Sequence, residues 1–413
     1  AWKKEGFVFS TPSNEAVKLY DAAVSQIIQY YDNESLGGLE KTIHGVIEAD
    51  PNYVMGYLLK SGMPVIDADI ERNPELKKDY DFIMDLVAKG KVTEHEKKHA
   101  LAFRECFHGD TAKACVLWED ILTDHPTDIF ALRLLQETYI VLGKYPQLCD
   151  TVASVFPSWK PETPLYSYLH GMYAFGLEET KHFHEAEKYA IKVDNPLTGH
   201  NFWHWALYHV EKGEFEAALD LFDNEVGRRA CSSSLFHLIN TASLLYRLEM
   251  QGVNIGDRWD QMLTHYAQCT DTHLWMFVDA HMIMCTLGAK REDLTLKLLK
   301  SLKEYAKNGS GTNCDVTREV GVALCEAFEL ADKGHFDQAV ELLKPIRYDL
   351  YKLGGSNAQR DVFKLFFINA AMMSSRKDHR KLARRLLAER KASKENAPMT
   401  DRLVARAMAN HVD

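Results

Sequence analysis

Residues 109–126 read GDTAKACVLWEDILTDHP, and this stretch decides the fold. Its spaced slots are Gly109, Thr111, Ala114, Trp118, Ile121 and Pro126. An advance of 34 residues brings Gly143, Tyr145, Leu148, Val152 and Val155 into the same slots, with Pro161 one place late. The pattern returns as Gly213, Phe215, Ala218 and Phe222, and again as Gly334, Phe336, Ala339 and Leu343. A weaker copy runs through Phe183, Ala186 and Ala190. Self-similarity at a fixed period marks a repeat architecture.

Each slot has a physical reason. The glycine ends one helix at a tight turn, where a positive φ costs glycine least. The aromatic two places on anchors the next helix, and the small alanine lets the paired helices approach closely. Proline closes the hairpin because it cannot continue a helix. One hairpin buries only part of its apolar face, so neighbours must stack. Outside the repeats, amphipathic segments such as SNEAVKLYDAAVSQIIQYY, SSLFHLINTASLLYRLEM and DVFKLFFINAAMM keep a helical period, and no alternating strand pattern competes with them. The fold expected is all-α, a tetratricopeptide-like solenoid of helix hairpins, continuous over residues 1–413. Its clearest repeats fall at about 95–128, 129–162, 164–194, 199–232 and 320–350, and capping helices occupy 376–413.

Composition narrows the function classes. The chain has 413 residues, 49 Lys+Arg against 59 Asp+Glu, and a formal net charge of −10. That balance argues against nucleic acid, whose binders need a concentrated basic surface. The one cationic stretch, SSRKDHRKLARRLLAERKASK, carries Leu382, Leu386 and Leu387 at helical spacing and reads as a solvated amphipathic cap. No apolar run of about 18 residues is present, so no membrane span is expected. None of the eight cysteines forms a CxxC pair and most lie in apolar helical contexts, which points to buried free thiols and a reducing, cytoplasmic setting.

Longer strings resemble one family. Ser13-Asn14-Glu15-Ala16, Ser35-Leu36-Gly37-Gly38 and Asp124-His125-Pro126-Thr127-Asp128 carry the likeness, with HNFWHWALY at 200–208 and GGSNAQRDVF at 354–363. Together they resemble the tetratricopeptide repeat protein 38 family, in the same order over nearly the whole chain. The resemblance implies a right-handed helical-repeat superhelix and carries no well-assigned activity. Against the family about one helix pair has no counterpart between Val193 and His200, which a true deletion, a splice form or a stretch left out of the numbering would each explain.

Candidate site residues cluster on the same strings. His200 and His204 stand four apart, which aims two imidazoles along one helical face, so a metal would take this pair. Glu211 is seven residues beyond His204, roughly 10 Å along the axis and too far for the same ion. A third ligand would come from another helix, for example His170, Asp279 or His281. By family register His200, Trp203 and Leu207 line a concave groove, where amphipathic rings can grip a ligand or simply fill the interior, as is expected of Trp205. Asp279 and His281 are two apart and diverge, which does not make a dyad. In GGSNAQRD, Ser356 or Asn357 can cap the following helix, while Arg360 and Asp361 can pair with neighbours or meet an anion near the helix N-terminus. That turn lacks the lysine of a phosphate loop, and no cofactor is expected.

The function expected is a binding scaffold whose groove holds a peptide, a partner protein or a small ligand. The alternative is a metal-assisted hydrolase using His200 and His204. A homodimer is the first assembly to consider.

Overall fold

The computed structural model describes residues 6–29, 33–67, 74–180, 182, 185, 198–230, 235–266, 271, 273–393 and 397–410. The chain divides into two compact units, residues Ala1–Pro196 with Ser310–Thr312, and residues Leu197–Gly309 with Asn313–Asp413. The described residues of both are helical with no strand.

The first unit contains α1 (Asn14–Gln29), α2 (Gly38–Ala49), α3 (Val54–Gly62), α4 (Pro64–Asp67), α5 (Pro74–Ala88), α6 (Glu94–Phe107), α7 (Thr111–Asp124), α8 (Ile129–Val141), α9 (Tyr145–Val155) and α10 (Tyr166–Glu179). Its core gathers Tyr20, Tyr53, Phe103, Trp118, Phe130 and Leu148. In the second unit, α11 (Thr198–Lys212) and α12 (Phe215–Leu221) are followed by a π-helical turn and α13 (Gly227–Ala230). Next come α14 (Leu235–Met250), α15 (Arg258–Tyr266), α16 (Met276–Gly288), α17 (Glu292–Asn308) and α18 (Thr312–Val316). The unit ends with α19 (Val322–Asp332), α20 (Phe336–Ile346), α21 (Asn357–Met373), α22 (Lys377–Ser393) and α23 (Pro398–Asn410). Its core runs through Trp203, Leu245, Phe277, Phe328, Phe363 and Phe366.

The repeat glycines do what their positions demand. Gly109, Gly143, Gly213 and Gly334 have φ of 77°, 67°, 86° and 79°. In each case the residue after the glycine donates its N–H to the carbonyl five residues back: Asp110 to Glu105 at 2.8 Å, Lys144 to Tyr139 at 2.9 Å, Glu214 to His209 at 2.9 Å and His335 to Leu330 at 2.8 Å. This is the Schellman closure, which satisfies orphan carbonyls at the end of a helix. It sets α6 on α7, α8 on α9, α11 on α12 and α19 on α20. Ala114, Ala218 and Ala339 are fully buried at the close approaches. The same closure occurs at Lys290, whose φ is 54° although it is not glycine.

The basic stretch near the C-terminus is α22, which buries Leu386, Leu387 and also Arg390. Six of the eight cysteines lie among the described residues, and all six are buried free thiols. No helix among the described residues is long and apolar enough to cross a membrane.

Candidate functional site

The second unit holds most of the sequence-predicted residues, and it arranges them around α14. Asn240, Ser243 and Arg247 recur at helical spacing and form a buried polar seam on that helix. Arg247 donates to the carbonyls of Ser243 at 3.0 Å and Ala358 at 2.6 Å, and its guanidinium lies 5.9 Å from the Trp203 ring. Trp203 is fully buried, and its Nε1–H donates to Ser243 Oγ at 3.2 Å. Trp203 is thus core, not an accessible groove contact. Leu207 packs partly buried against the same core.

His204 and His281 both feel this arginine. Burial pushes His204 down to about 4, and the Arg247 charge adds to the effect. Burial pushes His281 down to about 3, opposed by the bond from its Nδ1–H to the Phe277 carbonyl at 2.7 Å. Both are neutral at ordinary pH. Asp279 is directed elsewhere, toward His273 Nδ1 at 3.3 Å, and burial raises its carboxyl. The side chain of His200 lies outside the described residues, and so do residues 194–197 between Val193 and α11. His170 belongs to the first unit, buried with its ring 5.1 Å from Phe156 and 4.9 Å from Tyr166.

At the GGSN turn, Ser356 is the cap: its Oγ accepts the Gln359 N–H at 3.2 Å while Gln359 Oε1 accepts the Ser356 N–H at 2.7 Å. Arg360 is buried and folds back onto the Gly354 and Gly355 carbonyls and onto Asn357 Oδ1 at 2.7 Å. Asp361 makes a buried two-point pair with Arg390, with Nη2 to Oδ2 at 2.9 Å. Of the turn residues expected to face a ligand, Arg360 therefore closes the turn onto its own helix and Asp361 holds α21 to α22.

The outer face of α11 differs sharply from its inner one. Trp205 is 52% exposed and Tyr208 58% exposed, which reverses the interior placement expected for Trp205. Phe202 stacks on Trp205 with centroids 6.1 Å apart, and His209 lies 6.0 Å from Trp205 and 5.9 Å from Tyr208. Lys212 sits 5.3 Å over the Tyr208 ring. Elsewhere in this unit a surface groove of about 480 Å³ is lined by Leu296, Leu299, Lys303, Glu326, Leu330 and Leu342. None of the sequence-predicted residues lines it.

The first unit contains a cluster that a search centred on His200 and His204 passes over, although residues 95–99 spell His-Glu-Lys-Lys-His. Thr93 caps α6, and its capping box with Glu96 sets the helix start so that His95 and His99 share one face. Asp128 caps α8: its Oδ1 accepts N–H bonds from Phe130 at 3.0 Å and Ala131 at 2.9 Å. The other oxygen, Oδ2, meets His95 Nε2 at 2.6 Å and His99 Nε2 at 2.9 Å. All three side chains are buried. Burial alone would raise the Asp128 carboxyl, but His99 and the two imidazole hydrogen bonds outweigh it and hold the group far below the usual carboxylate range. For His99 burial wins over Asp128, so its pKa falls. The signal that could have found this cluster is the histidine spacing combined with the cap residue at the end of Asp124-His125-Pro126-Thr127-Asp128.

Comparison with known proteins adds little to this geometry. No family model matches the chain. Among solved structures, yeast Tom70 aligns over 97% of this chain and 89% of its own, with 12% sequence identity and a TM-score of 0.28. At that score the likeness carries no inference about either a shared site or a shared partner.

Proposed function

We propose that this chain is a helical-hairpin binding protein that recognises a protein partner through the outer face of α11. One observation carries the reading: Trp205 and Tyr208 are more than half exposed on a helix whose other face is sealed by Trp203, Ala206 and Val210. Tryptophan and tyrosine are the residues that most often dominate binding energy at interfaces, because a rigid ring buries much area for little entropy. Lys212 borders the ridge with its charge already paired to Glu214, so the ridge offers a partner mainly its two rings. The strings HNFWHWALY and GGSNAQRDVF support kinship with the tetratricopeptide repeat protein 38 family, and the buried free cysteines support a reducing, cytoplasmic setting.

A photoreactive amino acid introduced in place of Trp205 tests this reading. Irradiation in cells should give an adduct with a different protein, lost when Tyr208 is also replaced by alanine. Cross-links only within the chain would show that the ridge is covered internally and would end the proposal.

A further inference from the structure

We propose that His95, His99 and Asp128 in the first unit bind a divalent transition-metal ion, zinc first among them.

The donor set converges on one point. Each residue offers one ligand atom, and the three atoms lie within 4.8 Å of one another. Two arrive from α6 at the i, i+4 spacing that puts imidazoles on one helical face, and the third from the cap of α8. The Nε2 to Oδ2 distances are 2.6 and 2.9 Å. Ligands at about 2.0–2.1 Å from a tetrahedral zinc stand ~3.3 Å apart, so rotamer shifts of under about 1 Å open the cluster around an ion. Two imidazoles and one carboxylate leave a fourth position to a small donor such as water.

Charge points the same way. Glu96, also fully buried, lies between the two histidines in sequence. Its oxygens accept only backbone N–H groups, from Ser10 at 2.9 Å and Thr93 at 2.8 Å. Asp128 has only the two histidines and two backbone N–H groups. Among the described residues no lysine or arginine pairs with either carboxylate. Both carboxylates are held by hydrogen bonds alone, and a divalent ion would add the opposite charge that a buried anion favours.

An outer partner is also available. A metal-bound imidazole needs an acceptor for its other N–H. A small cavity of about 10 Å³ is lined by His99 and Trp118 among apolar neighbours, which is about the volume of one water. His99 Nδ1 and Trp118 Nε1 have no protein partner, and one water can accept from both.

The ion's role is to clamp rather than to catalyse. Glu96 stands where a hydrolytic base would stand in a His-Glu-x-x-His motif, yet it is engaged as a helix cap and by Ser10. The Phe7 ring meets His95 edge-on at 5.3 Å and stacks on His125 at 5.1 Å, closing the cluster from the N-terminal side. Metal binding therefore ties α6, the start of α8 and the segment around Phe7 together.

The test uses the full chain, purified without chelator and without a histidine tag. Elemental analysis should find about one equivalent of zinc, and H99Q should fall below about 0.1 while H204Q keeps its metal. Stripped wild-type protein titrated with cobalt should develop the visible absorption of a tetrahedral ion, and added zinc should raise its thermal midpoint, neither of which should occur in H99Q. Because H99Q alters a buried position, circular dichroism must first show wild-type helicity; H95Q serves if it does not. Two results overturn the proposal. One is wild-type protein with no metal and no response to zinc or cobalt, which would leave a hydrogen-bonded His–Asp–His lock. The other is metal retained by folded H99Q and H95Q, which would place the ion elsewhere.

Discussion

Replacement of Trp203 by alanine separates a core reading of α11 from a groove reading. Trp203 is 0% exposed, its Nε1–H reaches Ser243 Oγ, and the Arg247 guanidinium lies 5.9 Å from its ring. A buried tryptophan truncated to alanine costs about 3–5 kcal/mol, through lost transfer energy plus the cavity left behind. The lost hydrogen bond adds little, because Ser243 Oγ keeps the Asn240 carbonyl as a partner. Loss of the ring beneath Arg247 adds roughly 1 kcal/mol. With a urea slope of about 2–3 kcal/mol per molar, the midpoint of unfolding should fall by roughly 1.3–3 M. Trp205→Ala, on the exposed face, should stay within about 0.5 kcal/mol of wild type. Urea titrations followed by far-ultraviolet circular dichroism measure both. If Trp203→Ala costs under about 1 kcal/mol, or Trp205→Ala costs more than it does, the faces of α11 are assigned the wrong way round.

Other perturbations probe the rest of the second unit. Asp361→Asn should destabilise by about 3–5 kcal/mol because it strands the buried Arg390 charge, whereas the joint change Asp361→Leu with Arg390→Met should recover much of the loss, as a double-mutant cycle in urea would show. Burial holds His204 at about 4 in the folded chain against the ordinary histidine value of 6.5, so the unfolded chain takes up the proton first on acidification. Stability should therefore be full above pH ~6.5 and fall by up to about 3 kcal/mol as the pH drops toward ~4, with His204→Gln flattening that slope in thermal melts. Lys290→Gly should raise stability by about 0.5–1 kcal/mol by relieving a left-handed backbone, since the exposed Lys290–Asp332 pair contributes little; no rise in the thermal midpoint would mean the turn carries no strain.

The fold was legible because its signals are local. A glycine that must adopt a positive φ, an alanine where two helices touch and an aromatic two places after the turn can all be read within one hairpin. All four repeat glycines adopt that conformation. The face of α11 was not legible, because aromatic and apolar residues occur on both of its sides. Phe202, Trp203, Ala206, Leu207 and Val210 leave the hydrophobic period blurred by Trp205 and Tyr208, and only packing against α14 shows which side is inner. Asp361 and Arg390 stand 29 residues apart. The arginine looked like part of a solvated basic helix until its carboxylate partner was placed. His95 and His99 were missed although their His-Glu-x-x-His string stands in the sequence, and their carboxylate is a helix cap 33 residues beyond His95. Long-range polar pairs are set by stacking between hairpins, and no local pattern encodes them.

Hydroxyl-radical footprinting of the isolated chain, read residue by residue by mass spectrometry, tests the recognition face most directly. Trp205 and Tyr208 should oxidise readily while Trp203, two residues away, stays unmodified, and added partner should protect the first two. Oxidation of Trp203 at the rate of Trp205, or an unreactive Trp205 and Tyr208 in the isolated chain, would contradict the account.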